Sequence, residues 1–121
     1  MRININKYIL SDNITDELLI NNKFSKREYK DGIKKSYEYI FIKQLYDSIY
    51  MKINITLVND EFILNYVVVL DDNYGKLYYP FYNADDFSNI NTIIYNYNSE
   101  MNKLCDLEIF KRKEKNLIKE M

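Results

Sequence analysis

The sequence predicts an α+β protein: an antiparallel meander of four or five strands, one long helix after it packed on one face, and a short helix near the N-terminus. Three observations lead there. From Ile49, the apolar residues Ile49, Met51, Ile53, Ile55 and Leu57 alternate with Tyr50, Lys52, Asn54 and Thr56, the period of a half-buried strand. Asn59 and Asp60, short polar residues that tolerate a left-handed backbone, then separate this run from a second apolar run, so the chain turns back on itself. Later, Ile90, Ile93, Ile94, Tyr97, Met101 and Leu104 recur at three- and four-residue spacing, which marks a helix with one buried stripe.

Taken in order, residues 2–10 alternate briefly and fit either an edge strand or an ordered leader. Asn13 suits an N-cap, and Asp16 and Glu17 follow where carboxylates favour the positive end of a helix dipole, so 14–21 reads as a short helix. Residues 24–30 fit strand or loop equally, and Asp31-Gly32 reads as a hairpin turn. The run Ser36 to Gln44, rich in aromatic and β-branched residues, is a strand. Glu61 to Leu70 is the central strand, with Phe62, Leu64, Tyr66, Val68 and Leu70 on one face and Ile63, Val67 and Val69 making the other face apolar too. Asp71 to Gly75 closes the next hairpin, Lys76 to Tyr79 is the last strand, and Pro80 marks an edge or an ending. Asp86 or Ser88 caps the long helix. From Asp106 the chain forms a second helix carrying Phe110, Leu117, Ile118 and Met121 on one side, or frays. At 121 residues the whole suits one domain, 1–121, with 106–121 as a separate short helix or tail.

Composition excludes more than it assigns. Asn, Ile, Lys and Tyr make up about half of the residues, a bias toward A- and T-rich codons that points to a low-GC bacterium or its mobile elements. There is no charged and hydrophobic leader, and the longest unbroken apolar run, Tyr66 to Leu70, is far below the ~20 residues of a membrane helix; a soluble, cytoplasmic protein without membrane partners is expected. The chain has no histidine, which removes Ser-His and Cys-His catalysis. One cysteine, Cys105, precludes an internal disulfide and reads as a structural thiol on the edge of the helical stripe. With two glycines there is no phosphate-binding loop, and no cofactor or metal motif is present.

Net charge is −1, but unevenly spread. Residues 23–35 carry Lys23, Lys26, Arg27, Lys30, Lys34 and Lys35 against Glu28 and Asp31, whereas residues 54–100 carry Lys76 against seven acids. In a meander the hairpin ends collect the acids: Asp47, Asp71 and Asp72 at one end, Asp60 and Glu61 at the other, where Asp85 and Asp86 arrive. Three roles are open to them: turn chemistry, a protein-binding acidic patch that includes Tyr74, or divalent-metal catalysis. The basic run reads as a solvated loop face or, as an alternative function, a nucleic-acid contact. The tyrosines are the other anomaly. Tyr37, Tyr39, Tyr50 and Tyr78 are expected on the sheet face opposite the long helix, to be covered by residues 107–121 or by a second copy of the chain.

On DNYGKLYYPFYN (72–83) and NINTIIYNYNSEMNKL (89–104), the chain resembles the small proteins carried by phages and mobile elements of low-GC bacteria, among which anti-CRISPR and other anti-defence inhibitors occur. The resemblance is one of size, residue bias and acidic, aromatic surface. It implies a non-enzymatic, stoichiometric inhibitor that binds a host nuclease complex. The charge split, by itself, makes the acidic meander the expected contact with a basic, nucleic-acid-handling partner, through Asp60, Glu61, Asp71, Asp72, Tyr74, Asp85 and Asp86.

Overall fold

The computed structural model describes residues 8–71, 76–77 and 90–112. Along the chain these are β1 (Tyr8–Leu10), α1 (Asp16–Asn21), β2 (Ser25–Asp31), β3 (Lys34–Tyr46), β4 (Ile49–Val58), β5 (Glu61–Asp71), β6 (Lys76–Leu77), α2 (Ile90–Asp106) and β7 (Phe110–Arg112). Strands β2 to β6 form one antiparallel sheet in sequence order, and β1 pairs antiparallel with β7 in a second, two-stranded sheet.

Each described hairpin turn of the large sheet carries a residue with a left-handed backbone. Asn59 and Asp60, with φ of 53° and 64°, supply the two positive values of a type I′ turn, whose twist matches the strands it joins. Gly32, at φ 67°, opens the two-residue loop between Asp31 and Lys34. Residues 24–30, which fit strand or loop by sequence, are thereby recruited into β2, an exposed edge strand that pairs with β3.

Two single-residue irregularities decide which side chains face inward. Gln44 lies opposite Tyr50 but Tyr46 opposite Ile49, so Leu45 is an extra residue in β3. Asn54 lies opposite Tyr66 but Ile55 opposite Leu64, so Asn65 is an extra residue in β5. Between them, Ile53 and Ile55 of β4 have apolar partners on both sides: Tyr39, Ile55 and Leu64 lie in line, as do Phe41, Ile53 and Val67. Met51, Ile53 and Ile55 are fully buried there. The face expected for β5 is correspondingly corrected. Phe62 and Leu64 face the core, but beyond Asn65 the inward residues are Val67 and Val69, and Tyr66, Val68 and Leu70 turn to the other side.

All other described elements pack on that one face. The stripe Ile93, Tyr97, Met101 and Leu104 of α2 joins the sheet core, and Leu19 of α1 and Tyr8, Ile109 and Phe110 of the small sheet complete it. The chain from 107 onward is therefore no second helix as far as it is described: it turns at 107–108 and becomes β7. Cys105 is half-buried and packs against the same core. The N-cap of α1 is Thr15 rather than Asn13: Leu18 N donates to Thr15 Oγ1 (3.1 Å), while Asn13 Nδ2 donates to Glu108 Oε1 (2.5 Å). Residues 1–7, the Asp72–Gly75 turn, Tyr78, Tyr79, Pro80, Tyr82, the caps proposed at Asp86 and Ser88, and 113–121 lie outside the described residues.

The largest correction concerns Tyr39. Placed by sequence on the face opposite the helix, it is wholly buried beneath α1, where Tyr39 Oη donates to Asp16 Oδ1 (2.5 Å) and the ring packs on Phe62. Tyr37, half-buried, lies on that side too. Burial, and then the Asp16 carboxylate, push the Tyr39 phenol up in pKa. Lys26 reaches the same carboxylate (2.7 Å) and, with Tyr39, holds it below its ordinary pKa. Tyr97 is as deeply buried, yet among the described residues its hydroxyl has no hydrogen-bond partner.

The two tyrosines should therefore respond in opposite senses to loss of the hydroxyl. Tyr39→Phe removes a donor from Asp16 and should cost about 1 kcal/mol, whereas Tyr97→Phe deletes a desolvated, unpaired group and should be neutral or stabilising. Urea denaturation of the two variants checks the contrast.

Candidate functional site: the open face of the sheet

Because both helices and the small sheet occupy one side, the even-numbered residues of β4 and their neighbours form a face that no other described element covers. Its apolar members are conspicuous. Ile42 is 59% exposed, Ile63 43% and Tyr66 36%, while Tyr50, Val68 and Leu70 are half-buried among them. Ile42, Tyr50, Lys52 and Leu70 line a shallow cavity of about 350 Å³.

A polar chain crosses this face over four strands. Arg27 Nη1 donates to Tyr29 Oη (3.1 Å), and Tyr29 Oη donates to Glu38 Oε1 (3.0 Å). Asn54 Nδ2 donates to Glu38 Oε2 (2.8 Å), and Asn65 Nδ2 donates to Asn54 Oδ1 (2.7 Å) and approaches Thr56 Oγ1 (3.3 Å). The extra residue of β5 thus satisfies the acceptor of Asn54, a buried polar side chain of this sheet. Hydrogen bonds from Asn54 and then Tyr29, helped by the charges of Arg27 and Lys52, hold the Glu38 carboxyl below the ordinary range. The network fixes side chains on a surface that is otherwise free to repack, so the face is preorganised.

Of the acidic residues singled out by sequence, the described ones lie at the two ends of the meander, with Asp71 in register with the inward-facing Ile49. Asp60 and Glu61 are exposed at the β4–β5 turn. Asp71 ends β5 at the other extremity, roughly 30 Å away at the ~3.3 Å rise per strand residue. It accepts from Ser48 Oγ (3.0 Å), so turn chemistry engages at least this carboxylate. Asp47, at φ 51°, lies in the adjoining loop. Asp72, Tyr74, Asp85 and Asp86 fall outside the described residues. Among the described residues, no three acids or thiols lie close enough to hold a metal ion.

Strand alternation divides the basic run instead of gathering it. Lys26 turns toward α1 and its ammonium sits 4.4 Å from the centre of the Tyr37 ring, whereas Arg27 lies on the open face. Lys30 and Lys35 face each other across β2 and β3, Lys35 pairs with Glu28 (3.5 Å), Lys34 stands opposite Asp31, and Lys23 occupies a left-handed position after α1. Sequence reasoning missed Tyr29, Glu38, Asn54, Asn65 and Ile63 as a connected surface. The polar positions Lys52, Asn54 and Thr56 on β4 were the available signal, but their partners depend on the register of three strands.

Compared with known proteins, the chain matches no family model, no curated protein and no solved structure.

Removing Asn65 strands a buried acceptor, so Asn65→Ala should destabilise the protein by about 1–3 kcal/mol, read by chemical denaturation. The depressed Glu38 carboxyl adds a pH dependence. Its contribution is present above the unfolded-state value near ~4.3 and is lost as pH falls through the lower folded-state value. The stability difference between wild type and Glu38→Gln should accordingly be greatest above pH ~5 and shrink on acidification.

Proposed function

We propose that this chain is a non-enzymatic binding protein of the anti-defence kind, which inhibits a basic, nucleic-acid-handling host complex by stoichiometric attachment through the open face of its sheet. The single observation that carries the reading is a preorganised face with an apolar and tyrosine-bearing centre and the exposed carboxylates of Asp60 and Glu61 at the β4–β5 turn. Tyrosine and isoleucine at half exposure provide contact area with little entropy left to lose, the property of interface anchors. Four strands at ~4.8 Å spacing and about ten residues in length offer roughly 600 Å² in projection, close to one side of a standard interface of ~800 Å² per partner. Asp60, Glu61 and Asp71 then act as a rim that steers a basic partner and sets association rate more than final affinity.

A second reading is favoured by one observation: Arg27 and Lys52 lie on the same face as Tyr29, Tyr50 and Tyr66, the mixture of cations and stacking rings that single-stranded nucleic acid uses. Glu38 at the centre of that face opposes it. A carboxylate and metal enzyme draws no support from the described residues.

The test is a binding assay with the purified chain as bait against CRISPR effector and other nuclease complexes from low-GC hosts. Tyr66→Lys with Ile63→Lys should abolish capture, while Asp60→Lys, Glu61→Lys and Asp71→Lys together should slow association and lessen its salt dependence. A retained partner in the open-face variant would remove that face from the account. A salt-sensitive gel shift with single-stranded nucleic acid, and no protein capture, would favour the second reading.

A further inference from the structure

Strand β3 is longer than its edge partner. Ser25, the first residue of β2, lies opposite Ile40, so residues 41–46 of β3 extend past β2 and pair, among the described residues, with β4 alone. The direction of their main-chain groups follows from the hairpin. A two-residue loop makes Asp31 and Lys34 a hydrogen-bonded pair, so even-numbered residues of β3 direct N–H and C=O toward the β2 side. Ile42 and Gln44 therefore present their main-chain donors and acceptors along an edge that no described strand pairs with. Ile42, Lys43 and Gln44 are exposed in succession on both faces, as an uncovered edge requires. The edge has a definite end: Asn96 Nδ2 of α2 donates to the carbonyl of Leu45 (2.7 Å) at the extra residue.

Beside this edge lies a cleft of about 340 Å³, between the end of α1, β3 and the last turns of α2. Phe41, Leu104 and Leu107 supply its apolar wall. Lys23, Lys43 and Lys103 converge on it from three separate elements against the single carboxylate of Glu100, which Lys43 (3.8 Å) and Lys103 (3.5 Å) already share. The cleft keeps an excess of positive charge. An unpaired edge ordinarily invites a second copy of the same chain, but lysines protect it from that pairing, since two such edges would bring Lys43, Lys23 and Lys103 against their own counterparts.

We propose that this edge and cleft take up an extended acidic peptide segment of a partner protein, added as a short antiparallel or parallel strand beside residues 41–44. The main chain of the peptide pairs with Ile42 and Gln44. Alternate side chains enter the cleft, where carboxylates meet Lys23, Lys43 and Lys103 and an apolar side chain meets Phe41 and Leu107. This site adjoins the open face at Ile42, has its cleft on the opposite side of β3, and accepts the opposite charge from the partner proposed there.

The probe is a fluorescein-labelled hexapeptide alternating glutamate and valine, with a lysine and valine counterpart as control, followed by anisotropy and by amide exchange in the full chain. The acidic peptide should bind and the basic one should not, and binding should weaken as salt rises. Exchange at the Ile42 and Gln44 amides should be fast in the free chain and slow in the complex. Ile42→Pro removes the outward N–H while leaving the β4 ladder intact, and should weaken the peptide at least tenfold. Lys43→Gln with Lys103→Gln should do the same, and Tyr66→Lys on the open face should change nothing. The proposal is overturned by equal affinity for both peptides, by no acidic binding at millimolar concentration, or by wild-type affinity in Ile42→Pro. Slow exchange at Ile42 and Gln44 in the free chain would overturn it too, whether it arises within one copy or rises with protein concentration.

Discussion

Pairing of Ile53, Ile55 and Leu57 of β4 with apolar partners on both neighbours is the constraint on which the rest of this structure depends. Met51, Ile53 and Ile55 are completely buried, and every described element outside the large sheet packs on the side they define. A strand residue slipped by one position changes face, so the identity of the buried side is set by register rather than by composition. Here the register is held by two extra residues, Leu45 and Asn65, one in each neighbour of β4. Leu45 turns into the core, and Asn65 turns out to satisfy Asn54. Neither is idle.

The same two residues mark the limit of what was legible from the amino acids. The β4 alternation, the Asn59-Asp60 turn and the α2 stripe were readable because each is a local pattern that one segment carries by itself. Tyr39 was not. A regular hairpin closed between Tyr46 and Ile49 places Tyr39 beside Thr56, on the polar face; the extra residue at Leu45 moves it beside Ile55 and into the core. Likewise, a regular β4–β5 hairpin puts Tyr66 opposite Ile53, and Asn65 carries it to the other side, opposite Asn54. Both strands are apolar on both faces, so periodicity alone gives no phase. Asp47 and Asp71 lie at one end of the meander and Asp60 and Glu61 at the other, as the sequence placed them, since a hairpin end is also a local property, but the surface between them depended on the register and was read without Glu38, Asn54 and Asn65.

Among the described residues, two helices and a second small sheet are all directed to one core, and the tyrosine-rich strands leave Ile42, Ile63 and Tyr66 facing away from it. Scattered exposed apolar residues are ordinary, but a row of them within a hydrogen-bonded frame is a feature of surfaces that meet something. The chain carries no histidine, and among the described residues no three acids or thiols lie close enough to hold a metal ion.

The central claim is that the register assigns Tyr39 to the core and Tyr66 to the open face, and the thirteen tyrosines make it directly measurable. Limited nitration followed by peptide mass spectrometry reports the accessibility of each ring, with the exposed Tyr95 of α2 as the internal standard. Tyr29 and Tyr66 should react at rates comparable to Tyr95, and Tyr39 and Tyr97 only after the protein unfolds. Nitration of Tyr39 in the folded protein, with Tyr66 protected, would mean that the two strands are paired in the regular register and that the open face described above is the buried one.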